Sequence, residues 1–74
     1  MTTAERQRID FSVFLMHQLA KRWNRSVPDV YLALEQAGAL SNYIYPSYDV
    51  LHTLSGEYLT DDVTDYVREH GVRI

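Results

Sequence analysis

Ile9-Asp10-Phe11-Ser12-Val13-Phe14-Leu15-Met16-His17-Gln18-Leu19-Ala20-Lys21-Arg22-Trp23 is the run on which the fold turns. Ile9, Val13, Met16, Ala20 and Trp23 fall at steps of three and four, so they share one face of a helix. Phe11, Phe14, Leu15 and Leu19 widen that stripe well beyond a single seam, which predicts a central helix contacted from more than one side. Upstream, Thr2 and Glu5 have the spacing of a capping box, in which each side chain accepts from the other's free backbone N–H. The helix is predicted to stop near Trp23 or Asn24, with Asn24-Arg25-Ser26 as a connector.

The remaining chain punctuates itself in the same way. Ser26-Val27-Pro28-Asp29 reads as a second start: serine caps, proline sits where its missing N–H costs nothing, and Asp29 complements the helix dipole. Val27, Val30, Tyr31, Leu34 and Ala37 follow with helical period, and Gly38 stands where a left-handed terminator is wanted. A third segment beginning at Ser41 or Asn42 meets Pro46, which predicts either a helix starting there or one that is interrupted. Ser55-Gly56 is read as its end. Thr60 is read as the cap of the last helix, with Asp61 and Asp62 in its first turn, Val63, Tyr66 and Val67 on its buried face, and Gly71 as its stop. No useful strand alternation appears. The expected fold is all-α, a compact bundle of about four short helices joined by short connections, with residues 1–74 as a single small domain.

Composition narrows the functional classes. A chain of 74 residues without cysteine has neither a disulfide framework nor a thiolate metal site, and its small core leaves it dependent on helix packing, a partner or homodimer formation. Six tyrosines suit contact surfaces, because each offers an apolar face with a polar tip, although they also suit the border of a small core. The run Val13-Phe14-Leu15-Met16 falls far short of the ~20 apolar residues of a membrane span, and no small-residue cleavage site follows Arg6 and Arg8. A cytoplasmic protein is expected. The net charge of −3 divides unevenly: residues 1–25 carry +3 and residues 26–74 carry −6. An acidic C-terminal two-thirds suits a basic protein partner better than a phosphate backbone.

Candidates for chemistry are few. Asp49 and His52 are three apart on a helix, so the carboxylate is placed to hold an imidazole N–H, but no nucleophile stands in a recognisable context beside them. His17, His52 and His70 are widely separated and form no metal-binding pair; Asp61, Asp62 and Asp65 lack the spacing of a calcium loop. No catalytic, cofactor-binding or metal residue is therefore assigned, no cofactor is expected, and the chain is read as a non-enzyme. The alternative is a helix-turn-helix-like DNA-binding regulator with Arg6, Arg8, Lys21, Arg22 and Arg25 as its cations. Against it, the would-be reading segment Ser41-Asn42-Tyr43-Ile44-Tyr45-Pro46 contains no lysine or arginine.

The densest group of polar and aromatic side chains is Tyr48-Asp49-Val50-Leu51-His52-Thr53, then Gly56-Glu57-Tyr58-Leu59, then Asp61-Asp62-Val63. Tyr48, Asp49, His52 and Tyr58 are the candidate partner-binding residues, with an internal polar clasp as the competing role for the same four. This run resembles a family of short bacterial and phage-associated proteins, a domain of unknown function with the signature Y-D-x-L-H-T, G-x-E-Y-L and D-D-I or D-D-V. Val30-Tyr31-Leu32 with Gly38 and the apolar Phe11–Leu19 helix extend the likeness over roughly residues 9–72. The chain departs from the pattern at Pro46 and in Gly56-Glu57-Tyr58, one residue tighter than many relatives. Members are commonly encoded beside a larger protein resembling an ADP-ribosyltransferase. The resemblance thus implies a small non-enzymatic partner protein, an antitoxin or accessory subunit of a toxin–antitoxin-like pair.

Overall fold

Thr2 opens the first helix as its spacing from Glu5 predicts. In the computed structural model, which describes residues 2–74, Thr2 Oγ1 accepts from the Glu5 N–H at 3.2 Å and the Glu5 carboxylate accepts from the Thr2 N–H at 3.3 Å. Helix α1 spans Thr3–Trp23 and ends on Asn24, whose left-handed φ of 55° turns its N–H back onto the Ala20 and Lys21 carbonyls. Asparagine is one of the few residues with a Cβ that take this conformation readily. Ser26 then caps α2 (Val27–Ala37) by accepting from the Asp29 N–H at 3.3 Å, with Pro28 in the first turn. Gly38 closes α2 at φ 68°.

The third segment is interrupted at Pro46, but as a different kind of helix. Leu40–Ile44 is wound as a π-helix, and the Tyr45 N–H reaches the Leu40 carbonyl at 3.0 Å. Pro46 donates nothing, and the tighter pattern resumes when the Ser47 N–H bonds the Tyr43 carbonyl at 3.0 Å. Tyr45 keeps helical angles (φ −66°, ψ −47°) despite the proline after it, so the steric bias against helix at that position is overridden here. The short α3 (Tyr48–Leu51) follows.

Ser55 and Gly56 begin the last helix; they do not end the third. Ser55 is extended (φ −66°, ψ 154°) and its hydroxyl accepts from the Tyr58 N–H, so α4 spans Gly56–Glu69. Thr60 is therefore not the cap. Buried one turn inside, its hydroxyl donates to the Glu57 carbonyl at 3.0 Å, and Asp61 and Asp62 lie beyond the first turn. Ser55 wins because its extended backbone aims its oxygen at the free N–H groups, which a threonine already in helical geometry cannot do.

Helix α1 packs against both α2 and α4, which also touch each other, so it is central. The face it buries is displaced from the predicted stripe. Ser12, Leu15 and Leu19 are buried, whereas Ile9 and Val13 remain 42% and 44% exposed, roughly a quarter-turn away. The row Phe11, Leu15, Leu19 and Trp23 carries the larger side chains, and burying it removes more apolar area from water. Val30, Ala33, Leu34, Ala37, Ala39, Leu40, Ile44, Leu51, Leu59, Val63 and Val67 complete the core. Trp23 Nε1–H donates to Thr64 Oγ1 at 2.9 Å, and that hydroxyl donates on to the Thr60 carbonyl at 2.5 Å, so the polar atoms at the α1–α4 seam are satisfied. After Gly71 (φ 81°), Val72 and Ile74 fold back onto the core. The described residues contain helices and no strands, and no helix among them is long and apolar enough to cross a membrane.

Candidate functional site

Tyr48 leaves the Pro46 turn directly above α1. Its ring meets Phe11 edge-on at 5.3 Å between centroids, and the Arg8 guanidinium lies 5.4 Å from its centre. One turn on, His52 stacks over Tyr48 at 4.7 Å and 13° from parallel. His52 Nδ1–H donates to the Tyr48 carbonyl at 2.7 Å. Asp49, the expected holder of that imidazole, is exposed and makes no hydrogen bond or ion pair among the described residues. The backbone carbonyl four residues back is the nearer acceptor at the end of a helix that stops at Leu51. Tyr48, His52, Phe11 and Arg8 thus form one assembly.

Tyr58 stands apart from it. On α4, Leu59, Thr60, Val63, Thr64 and Val67 face inward. Tyr58, Asp62, Asp65 and Glu69 recur at steps of three and four on the opposite face. Tyr58 is 73% exposed, the largest value among the exposed large apolar side chains described, and carboxylates flank it on both sides along the helix. Two of α4's carboxylates are engaged within the chain: Asp61 pairs with Arg22, and Asp62 accepts from the Tyr43 hydroxyl. Glu57, Asp65 and Glu69 have no ion-pair partner among the described residues.

A second aromatic assembly escaped the sequence reading. Tyr43 stacks on Tyr66 at 4.6 Å and 6°, Tyr66 stacks on His70 at 4.1 Å and 23°, and His70 Nδ1–H donates to the Tyr66 carbonyl at 2.8 Å. Burial pushes the Tyr43 hydroxyl up to about 12, assisted by the bond to Asp62, since both oppose a phenolate. Tyr31, an exposed side chain, has its hydroxyl raised by its hydrogen bond to Glu35 at 3.0 Å and by that carboxylate's charge. The detectable signal was spacing: Tyr66-x-x-x-His70 repeats Tyr48-x-x-x-His52, each ending a helix.

Chemically, both histidines are bonded through Nδ1, leaving Nε2 as the available nitrogen. Among the described residues no three histidine, aspartate or glutamate side chains gather into a metal-binding group. The arrangement offers aromatic platforms and one acidic, aromatic helix face, which are features of recognition surfaces. A protein-family model described as "Protein of unknown function (DUF3791)" matches residues 10–70. No curated protein and no solved structure matches the chain.

Proposed function

Because the chain belongs to the DUF3791 family, whose description assigns no activity, we propose its function from its own surface and from the signature it shares. It is a non-enzymatic protein–protein interaction module acting in the cytoplasm as a single small domain. Its role is that of an antitoxin or accessory subunit in a toxin–antitoxin-like pair, and its partner is an ADP-ribosyltransferase-like protein encoded nearby. The signature resemblance supports the pairing. One observation carries the mode of contact: Tyr58 is 73% exposed at the N-terminal end of the acidic outer face of α4.

Among the described residues no hydrogen bond, ring contact or cation engages the Tyr58 side chain. An aromatic ring with a hydroxyl tip, at one end of a row of carboxylates, favours a basic partner surface on which one arginine or lysine stacks on the ring while others pair with Glu57, Asp65 or Glu69 further along the helix. Tyr48 and His52 contribute less directly, through the platform they build under Arg8. The DNA-binding alternative gains no support. Arg22 is engaged by Asp61, Arg8 lies on Tyr48, and the π-helix and α3 contain no cation.

The test is co-purification of the full chain with the product of the adjacent gene. Tyr58→Ala is expected to weaken the complex by about thirtyfold, the scale of a tyrosine hot spot, while its unfolding midpoint stays where it was. Unchanged affinity in Tyr58→Ala would remove α4 from the interface.

A further inference from the structure

Between Leu40 and Ser47 the backbone hydrogen bonds change step. The Tyr45 N–H reaches the Leu40 carbonyl, five residues back, whereas the Ser47 N–H reaches the Tyr43 carbonyl, four residues back. The residue between those donors is Pro46, which would serve the Ser41 carbonyl at the wider step or the Asn42 carbonyl at the narrower one. Proline has no N–H to give to either. The change of step therefore falls on the one residue of the segment with no donor to lose.

Sterics point the same way. Tyr45 runs into the proline with helical angles, φ −66° and ψ −47°. In an α-wound turn the Pro46 ring would then press on the Asn42 carbonyl four residues back. Bonds that reach five residues put more residues into each turn than the ~3.6 of an α-helix, which draws that carbonyl out from under the ring. The wide turn also sets the direction of Tyr43, which stacks on Tyr66 and donates its hydroxyl to Asp62. With Leu40 kept in the core, narrowing the turn would swing Tyr43 about the helix axis by roughly 50°, away from both partners.

We propose that Pro46 is a register lock. It holds Leu40–Ile44 in the π-winding whether or not Tyr43 grips α4, and so presents Tyr43 to Tyr66 and Asp62. Without the proline the segment has a second setting, α-wound and unbroken from Ala39 to Leu51. There the Tyr45 N–H bonds the Ser41 carbonyl, residue 46 bonds Asn42, and Tyr43 is turned off α4. The proline makes a two-position joint between α2 and α4 into a fixed one. No partner takes part, so the lock stands or falls separately from the contact face on α4.

The rival holder of the winding is the grip of Tyr43 itself, and two variants of the full chain separate the two. Tyr43→Ala removes the grip and keeps the proline; Tyr43→Ala combined with Pro46→Ala removes both. Magnetic-resonance couplings across the N–H···O=C bonds identify each acceptor directly. In Tyr43→Ala the Tyr45 N–H is expected to stay coupled to the Leu40 carbonyl. In the double variant that coupling should move to Ser41, and exchange of the residue-46 amide should slow at least about tenfold relative to an unstructured chain. A Tyr45 coupling that moves to Ser41 in Tyr43→Ala alone overturns the proposal, because Tyr43 then holds the winding. A Leu40 coupling that persists in the double variant, or an unprotected residue-46 amide there, overturns it as well. Circular dichroism checks folding; should Tyr43→Ala unfold, Tyr43→Phe, which drops the bond to Asp62, replaces it with and without Pro46→Ala, and the same couplings decide.

Discussion

His52 lies one helical turn beyond Tyr48, rings stacked 4.7 Å apart, and its Nδ1–H donates to the Tyr48 carbonyl rather than to Asp49. A carbonyl oxygen only accepts, so the neutral imidazole must carry its proton on Nδ1. Nitrogen-15 spectra recorded above the imidazole titration range should show the Nδ1–H tautomer for His52. His70, bonded in the same way to the Tyr66 carbonyl, should show it too. Asp49→Asn should leave the His52 tautomer unchanged and alter stability by no more than about 0.5 kcal/mol, as for an exposed side chain without partners. A shift to the Nε2–H form in that variant would show that the carboxylate holds the ring.

The displaced face of α1 separates two substitutions that look alike in sequence. Leu15 is wholly buried and Val13 is 44% exposed. Leu15→Ala should cost about 2–5 kcal/mol, enough to unfold much of a small domain, whereas Val13→Ala should stay within about 0.5 kcal/mol. Urea unfolding of the two variants checks this, and comparable losses would place the core on the other stripe.

Gly38 ends α2 at φ 68°, and a Cβ there would stand 2.8 Å from Asn42 Nδ2. The Asn42 amide is the movable end of a side chain, so the backbone conformation is the main obstacle. Gly38→Ala should cost about 1–2 kcal/mol, seen as a lower urea midpoint with an unchanged slope. Gly38→Asn should cost less, since asparagine tolerates the left-handed region.

Tyr43 makes the fold sensitive to alkali. Its folded value, about 12, lies above the ordinary phenol value of 10.0, so the folded state favours the neutral phenol. The stabilisation is complete below pH 10 and is lost as pH rises from there through about 12. Tyrosinate absorbance should show a late step near pH 12 that Tyr43→Phe removes. The same variant should weaken the alkaline decline in stability.

Caps with an unambiguous local geometry were legible in the sequence: Thr2 with Glu5, Ser26 with Pro28, and Gly38 each stand where their chemistry requires. The all-α class followed from them and from the helical periods. The start of α4 was not legible, because Ser55 and Thr60 both precede carboxylates at plausible spacing, and only the backbone angles choose between them. The buried stripe of α1 was ambiguous for a related reason. Nine apolar residues in Ile9–Trp23 offer two overlapping rows, and the selection depends on what α2 and α4 bring to meet them. At the candidate site, the pairing of Tyr48 with His52 follows from helical spacing, but Arg8 and Phe11 arrive from about forty residues away. The π-winding of Leu40–Ile44, which carries Tyr43 towards Asp62 and Tyr66, has no local signature apart from Pro46 downstream.

The single tryptophan of this chain is tied to Thr64, across the seam between α1 and α4. Its indole is therefore a built-in optical gauge of one particular contact. A protein that settles on the outside of α4 should leave the emission colour as it was, while one that prises α4 from α1 should strip the indole of its hydroxyl partner and shift the spectrum. Binding and remodelling can thus be told apart in an unlabelled sample, from a single side chain.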